Sequence, residues 1–202
     1  MTSPARRVPF VGLTGGLGAG KSEALRALAE LGAATLSTDE VVHSLLASDL
    51  RDEVVARLGP QVAPDGSIDR ALVAERVFGD EDATAWLEQL LWPRVGERVA
   101  AWRAEVEAAE RPPRAAVVEV PLLFESGMEG VFDRTIAVVA GEEERERRAG
   151  ARGHAAVADR ERRQLSQEEK AQKADFTVRN DGTLEELKQV LSRVLATLEA
   201  AP

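Results

Sequence analysis

Residues 15–22 read G-G-L-G-A-G-K-S and match the phosphate-binding loop pattern G-x-x-x-x-G-K-[ST]. The glycines of this pattern allow a tight turn in which successive backbone N–H groups face the phosphates of a nucleotide. At this spacing the Lys21 ammonium group can reach the β- and γ-phosphates, and the Ser22 hydroxyl can coordinate Mg²⁺. The alternative is a glycine-rich turn that joins a strand to a helix and binds no ligand.

The segments on either side of the loop favour phosphate binding. Residues 8–13 form a short apolar run typical of a buried parallel strand, and apolar residues recur at helical spacing between positions 24 and 31. A strand, a loop and a helix in this order place the loop at a helix N-terminus, where the helix dipole attracts anions. The predicted nucleotide contacts from this region are Gly16, Gly18, Ala19, Gly20, Lys21, Ser22 and Glu23.

Composition narrows the class of protein further. The 202 residues are enough for one α/β domain, and the absence of cysteine excludes disulfides, thiol nucleophiles and cysteine metal sites. A formal charge of −9 argues against general nucleic-acid binding. No apolar stretch approaches the length that spans a membrane, and the N-terminal tail lacks a signal-peptide core. We therefore expect a cytoplasmic protein that binds neither nucleic acid nor membrane, and we favour a monomer.

Predicted strands and helices alternate along the chain, which is typical of a parallel sheet with helices on both faces. Five strands are predicted, at residues 8–13, 33–36, 115–120, 135–139 and 176–178. Helices are predicted at residues 21–31, from about 40, and at 50–58, 68–78, 83–110, 142–152, 157–174 and 184–198, with the long helix interrupted at Pro93.

We interpret residues 1–202 as a single α/β domain with three parts. Its predicted core comprises residues 8–48, 115–140 and 174–202. The helical block at 50–110 is too long for a simple connection between strands, so we expect it to stand off the sheet and help bind a second substrate. A helical lid is predicted at residues 142–165.

Asp39 is a candidate catalytic residue because it lies at the end of the predicted second strand. In an open α/β sheet the ligand crevice lies at such strand ends, beside the phosphate-binding loop. A carboxylate there can orient an acceptor hydroxyl and take its proton during phosphoryl transfer. The alternative is that Asp39 only caps the helix that begins near Glu40.

Further charged residues have both a catalytic and a structural interpretation. Glu119 and Glu125 flank the end of the third strand, where an acid can bind Mg²⁺ or its waters, or can simply favour a helix N-terminus. Arginines crowd residues 145–163 among acids, and surface ion pairs explain most of them. Because glycines interrupt this stretch, it also suits a hinged flap in which one or two of the arginines contact phosphate.

The order of the motifs resembles that of the bacterial dephospho-CoA kinase family. Residues 11–22 are similar to its G-L-T-G-G-I-G-S-G-K-S, residues 37–39 stand at its D-A-D, and residues 120–125 match its V-P-L-L-F-E. Residues 160–170 follow its R-x-x-x-Q-x-S-x-x-E-K pattern, beginning at Arg160. Residues 174–182 follow its A-D-x-x-x-x-N-x-G pattern, in which Asn180 is expected near the adenine of ATP.

The resemblance implies a P-loop kinase-like fold and transfer of the ATP γ-phosphoryl group to the ribose 3′-hydroxyl of dephospho-CoA, with Mg²⁺. It implies catalytic roles for Asp39, Lys21, Arg148 and Arg152, ATP binding by Asn180, and metal binding by Ser22. The implied acceptor contacts are Asp39, Pro121, Leu122, Leu123, Phe124, Glu125 and Arg160. The alternative is another small-molecule P-loop kinase, of the nucleoside, nucleotide or shikimate type, and the motifs after Pro121 argue against it.

The chain departs from the family pattern at several positions. The replacements are Glu23 for a threonine, Ser37 for an acid, His43 for an arginine, Trp92 for a histidine and Gly153 for an aspartate. The loop lysine, the magnesium serine and Asp39 are kept, so an active enzyme is expected.

Overall fold

A computed structural model describes residues 7–149 and 164–200. Five parallel strands form one sheet in the order β2-β3-β1-β4-β5. The strands are β1 (Phe10–Gly15), β2 (Ala34–Ser37), β3 (Ala116–Glu119), β4 (Arg134–Val139) and β5 (Phe176–Arg179). The helices of the described residues are α1 (Lys21–Glu30), α2 (Thr38–Ala47), α3 (Arg51–Leu58), α4 (Arg70–Val77), α5 (Glu81–Glu107), α6 (Glu142–Ala149), α7 (Gln167–Lys173) and α8 (Leu184–Ala200). This confirms the predicted five-stranded α/β architecture.

The register of the sheet brings the candidate residues of three strands to one edge. Leu13 of β1 and Ser37 of β2 are both level with Glu119 of β3. The phosphate-binding loop leaves β1 two residues beyond Leu13, and α2 begins immediately after Ser37. The carboxyl ends of parallel strands therefore create one crevice, as expected for an open α/β sheet.

The two faces of the sheet are covered by different helices. On one face α1 and α8 pack against β1 and β4 through a cluster that includes Leu28, Ile136 and Leu195. On the other face Val99 and Val106 of α5 pack against the sheet. Every residue of β1 is buried, which is why its sequence is an apolar run without polar alternation.

The helical block at 50–110 does not pack as one unit. A third apolar cluster joins α2, α3 and α4 to the first half of α5 and includes Leu46, Val54 and Val73. The second half of α5 instead completes the sheet's own core. Within the block, the part before about residue 95 therefore packs mainly in the third cluster, and the part after it packs on the sheet.

Three helix boundaries differ from the prediction. Helix α5 continues through Pro93, because apolar residues on both sides of the proline pack into the second and third clusters. Helix α2 begins at Thr38 and not near Glu40. Helix α7 begins at Gln167, where Ser166 and Glu169 form a capping box, so the predicted helix 157–174 does not run through residues 164–166. The parts of the two predicted lid helices at 150–152 and 157–163 lie outside the described residues.

Candidate active site

The phosphate-binding loop is held in place by Asn180, the residue that follows β5. Gly20 adopts φ +90° directly before α1, and a Cβ at this position would overlap the Asn180 side-chain amide. Asn180 is buried, and its Nδ2 donates hydrogen bonds to the Ala19 carbonyl at 3.1 Å and to Glu23 Oε2 at 3.2 Å. Only glycine combines this backbone conformation with this close approach.

Helix α6 also contacts the phosphate-binding loop. The Arg145 side chain donates from Nε to the Leu17 carbonyl at 3.0 Å. Gly18 adopts φ +72°, and a Cβ there would lie 2.6 Å from the Arg145 carbonyl oxygen. Arg148, one turn further on, donates to the Asn180 carbonyl at 3.2 Å. The first helix of the predicted lid therefore packs directly on the loop.

A polar cleft of about 330 Å³ opens where the loop meets the ends of β2 and β3. Lys21 Nζ donates to the carbonyls of Gly15 at 3.0 Å and Gly16 at 3.2 Å. The cleft combines cationic and anionic side chains, so it can bind phosphate while it keeps oxygen ligands for a cation. Its lining residues are Leu17, Gly18, Gly20, Lys21, Ser22, Glu23, Arg26, Asp39, Glu119, Pro121, Arg148 and Gln164.

Glu119 is a buried carboxylate in the wall of this cleft. Burial raises the pKa of Glu119, while the nearby Lys21 charge and a hydrogen bond with the Ser37 side chain act in the opposite direction. The strand register brings Ser37 level with Glu119. The charges of Asp39 and Glu40 also raise the pKa of Glu119, and an acid at position 37, as the family pattern has, would add another like charge.

Asp39 does not cap α2. The N-cap residue is Ser37 and the helix begins at Thr38, so Asp39 is the second helical residue. The side chain is half-buried and lines the polar cleft. The capping alternative for Asp39 is therefore wrong, although an acid in a first helical turn is favourable in its own right.

Asp39 also lines a second pocket, of about 340 Å³, which is mostly apolar. This pocket lies between α2, α5 and the loop that follows β3, and it shares Asp39 and Pro121 with the polar cleft. The Trp92 side chain, which is 55 % exposed, contributes to its wall. The lining residues are Thr38, Asp39, Val42, Trp92, Val95, Gly96, Val120, Pro121, Leu122, Ser126 and Met128.

The polar cleft offers oxygen ligands that suit Mg²⁺. The Ser22 hydroxyl and the carboxylates of Asp39 and Glu119 all line it. Within residues 7–149 and 164–200, no three His, Cys, Asp or Glu side chains are grouped to bind an ion by themselves. This arrangement fits Mg²⁺, which proteins often bind through one or two side chains together with substrate phosphates.

Comparison with known proteins identifies the family. The sequence model described as dephospho-CoA kinase matches residues 9–186. This chain belongs to the dephospho-CoA kinase family. A dephospho-CoA kinase of Protochlamydia amoebophila is 40% identical over 195 residues, which are 94% of this chain and 96% of that protein.

Two solved structures agree with the family's fold. One from Thermus thermophilus is 35% identical with a TM-score of 0.76, and the match covers 95% of this chain and 99% of that one. A dephospho-CoA kinase from Campylobacter jejuni is 21% identical with a TM-score of 0.63, covering 94% and 97%, and it supports the fold alone. No helix in the described part of this chain is long and apolar enough to cross a membrane.

The structure brings most of the predicted site residues of this kinase-family chain together. Those that line the polar cleft are Gly18, Gly20, Lys21, Ser22, Glu23, Asp39, Pro121 and Arg148. Gly16 packs against the Gln167 side chain, and Ala19 and Asn180 support the loop from behind. The Asn180 side chain therefore contacts the loop at Ala19 and the first turn of α1 at Glu23. Arg152 and Arg160 lie outside the described residues.

The predicted acceptor segment, residues 121–125, divides into three roles. Pro121 and Leu122 line the apolar pocket. Leu123 and Phe124 are buried in the second hydrophobic cluster, so the structure assigns them to packing and not to a pocket wall. Glu125 forms an ion pair with Lys170 at 2.9 Å.

Sequence reasoning missed several residues that line the cleft. Arg26 lies one helical turn after Ser22, and its Nε donates to the Ser22 carbonyl at 3.3 Å. The i,i+4 spacing was the signal that could have placed Arg26 beside the loop. Gln164 lies in the motif at residues 160–170 and also lines the cleft. Glu119 lines it too, although its sequence position allows both a metal-binding and a structural interpretation.

Proposed function

We propose that this protein transfers the γ-phosphoryl group of ATP to the ribose 3′-hydroxyl of dephospho-CoA, which forms coenzyme A and ADP. The observation that carries the proposal is the position of Asp39, which lines both the polar cleft and the apolar pocket. One carboxylate can therefore face a donor phosphate on one side and an acceptor hydroxyl on the other. Membership of the dephospho-CoA kinase family supports the choice of substrates.

The donor side is built from the phosphate-binding loop. Its backbone N–H groups and Lys21 bind the β- and γ-phosphates, and Lys21 exchanges its contacts with the Gly15 and Gly16 carbonyls for phosphate oxygens. Ser22, with Asp39 or Glu119 nearby, would bind Mg²⁺ together with ATP. When bound, the ion neutralises negative charge that develops on the phosphates.

The acceptor side depends on Asp39. Its carboxylate accepts a hydrogen bond from the acceptor hydroxyl and takes the proton as the hydroxyl oxygen bonds to the γ-phosphorus. The bond between that phosphorus and the β,γ-bridging oxygen breaks at the same time, and its electron pair leaves with ADP. Asp39 thus orients the nucleophile and removes its proton, and neither step needs a covalent enzyme intermediate.

Arginines of the lid complete the proposed donor site. Arg148 lines the cleft and is oriented by the Asn180 carbonyl and by Glu144, whose carboxylate lies 3.5 Å from Nη2. A guanidinium group fixed in this way can contact phosphate oxygens and stabilise charge in the transition state. Arg152 is proposed to add a second phosphate contact and Arg160 a contact with the acceptor, and closure of the lid is proposed to keep water from the reacting phosphorus.

The apolar pocket is the proposed acceptor site. Its aliphatic and aromatic wall suits the uncharged parts of dephospho-CoA, and Trp92 offers an exposed ring face. We propose that the enzyme acts as a monomer. We place this enzyme in the cytoplasm, where ATP is available.

An acceptor screen tests the proposal. Purified protein with Mg²⁺ and ATP is offered dephospho-CoA, adenosine, AMP and shikimate in parallel, and products are identified by mass spectrometry. We expect one phosphoryl group to be added to dephospho-CoA, with coenzyme A as product. Turnover of another acceptor in preference to dephospho-CoA would contradict the proposed substrate, and phosphorylation at a different hydroxyl would contradict the proposed geometry.

A further inference from the structure

A buried ion pair lies directly behind the wall that separates the two pockets. Lys170 of α7 is 0 % exposed, and its Nζ lies 2.9 Å from Glu125 Oε1. The same ammonium group donates to the Pro121 carbonyl at 2.7 Å and contacts Thr14 Oγ1 at 3.5 Å. Because Pro121 lines both pockets, Lys170 is bonded to the backbone of their shared wall.

The pair also contacts the backbone two residues before α7 begins. Glu125 Oε1 accepts a second hydrogen bond, from the Leu165 backbone N–H at 2.8 Å. Leu165 follows Gln164, which lines the polar cleft at the end of the predicted lid. The Thr14 hydroxyl contacts the same carbonyl as Lys170, because it donates a hydrogen bond to the Pro121 carbonyl at 3.2 Å. Three segments that are distant in the sequence therefore meet at this pair.

Stability alone is a weak reason for such an arrangement. Burial lowers the pKa of Lys170, and the contact with Glu125 offsets this only in part. Glu125 Oε2 is buried and has no hydrogen-bond partner among the described residues. A buried ion pair of this kind often contributes no more than two apolar side chains of similar size, so a fixed geometry is the better explanation.

We infer that Lys170 and Glu125 are positioning residues, which set the Pro121 wall and the backbone at Leu165 so that donor and acceptor meet at Asp39. This inference rests on the proposed function. It extends the proposed function by assigning a role to two side chains, neither of which lines a pocket. Neither residue contacts the reacting atoms in this role, and both act through the Pro121 carbonyl and the Leu165 N–H.

The first test replaces Lys170 and measures the effects on acceptor binding and on ATP binding separately. Lys170→Met keeps the length of the side chain and removes its charge. We expect the KM for dephospho-CoA to rise about 10-fold, while the Kd for ATP in the absence of acceptor stays within about 2-fold. Lys173→Met is the matched control, since Lys173 is an exposed lysine on the same helix, and it should leave both values unchanged.

The second test separates positioning from stability. Lys170→Met should lower the melting temperature, by about 10 °C, because it leaves the Glu125 charge buried and unpaired. The double variant Lys170→Met/Glu125→Leu removes both charges, so we expect the melting temperature to recover while the KM for the acceptor stays raised. Recovery of both quantities would show a merely structural pair and would overturn the inference.

Conservative variants of the glutamate cover the case in which Lys170→Met does not fold. Glu125→Gln keeps an acceptor oxygen for Lys170 and Leu165, whereas Glu125→Leu keeps none. The KM for dephospho-CoA should be closer to wild type in Glu125→Gln, and equal values in the two variants would overturn the inference. Lack of wild-type turnover with dephospho-CoA would count against the proposed function instead, and the same comparisons would then use the acceptor that the screen identifies.

Discussion

The two pockets that meet at Asp39 are constructed in different ways. Most of the polar cleft comes from one contiguous stretch, residues 17–26, that a single motif governs. The apolar pocket is assembled from three segments that are distant in the sequence, at residues 38–42, 92–96 and 120–128. A contiguous loop carries its geometry in its own spacing, whereas a pocket between helices depends on how those helices pack.

This difference predicts which of the two pockets tolerates amino-acid substitutions. In the cleft, Gly18 and Gly20 are each in contact with a neighbouring element, so a side chain at either position would collide with it. In the apolar pocket, Trp92 stands where the family pattern has a histidine. The tryptophan ring is exposed in the pocket wall, so its larger size is accommodated. We expect the donor side to tolerate few substitutions and the acceptor side to tolerate more.

The sharpest test of the comparison is at Asp39, the residue that both pockets share. Asp39→Asn keeps the shape and removes the base, so kcat should fall about 10³-fold while the KM for ATP changes little. Steady-state kinetics with each substrate varied in turn measures both. Lys21→Ala, by contrast, should weaken ATP binding and turnover together, because it removes a phosphate contact.

An unchanged kcat in Asp39→Asn would show that the carboxylate only favours the helix start. A raised KM for ATP with an unchanged kcat would assign Asp39 to the donor side alone. Either result would break the proposal that one residue serves both pockets.

The fold could be predicted from the sequence because its strands are buried on both faces. Such strands are short apolar runs between helices, and all five predicted strands are present. The errors lie where tertiary packing overrides a local signal. Pro93 predicts an interruption of α5, but the apolar residues on either side of it pack into two different clusters and keep the helix continuous.

The site could be predicted only in part, for the same reason. Motif spacing identified Lys21 and Ser22, the position at a strand end indicated Asp39, and the resemblance identified Pro121. Spacing does not show which way a side chain points, so Leu123 was predicted to contact substrate although it is buried in the core. The Lys170 contact with Pro121 joins residues 49 positions apart, and no local pattern predicts it.

The next prediction concerns how the donor loop is supported. If Asn180 acts through its contact with the Ala19 carbonyl, Asn180→Ala should weaken binding of ATP, GTP and inorganic triphosphate alike, by about 10-fold. If instead it recognises adenine, only the ATP value should change. Binding is measured by calorimetric titration, and Arg179→Ala, which alters the exposed neighbouring residue, is the control.

On the acceptor side the expected effect is smaller. Trp92→Ala should raise the KM for dephospho-CoA by up to about 10-fold through lost stacking or apolar contact, with the KM for ATP unchanged. Trp92→His, which restores the family residue, should have a milder effect. Phe78→Ala is the control, since Phe78 is comparably exposed but is not among the residues that line either pocket. Equal effects of Trp92→Ala on both substrates would mean that the apolar pocket is not specific to the acceptor.

The smallest expected effect concerns Glu119, in the wall of the polar cleft, and the pH dependence of the protein's stability. Burial raises the pKa of Glu119 above its ordinary value of 4.5, so just above that pH the folded protein binds a proton more readily than the unfolded chain. The contribution of Glu119 to the free energy of unfolding therefore falls as the pH rises through this window. Glu119→Gln cannot ionise, so the variant should gain stability relative to wild type between pH 4.5 and pH 8, by less than about 1 kcal/mol. Urea unfolding without nucleotide or Mg²⁺ measures this, with exposed Glu110→Gln as the control, and a relative gain on acidification would contradict the assigned direction.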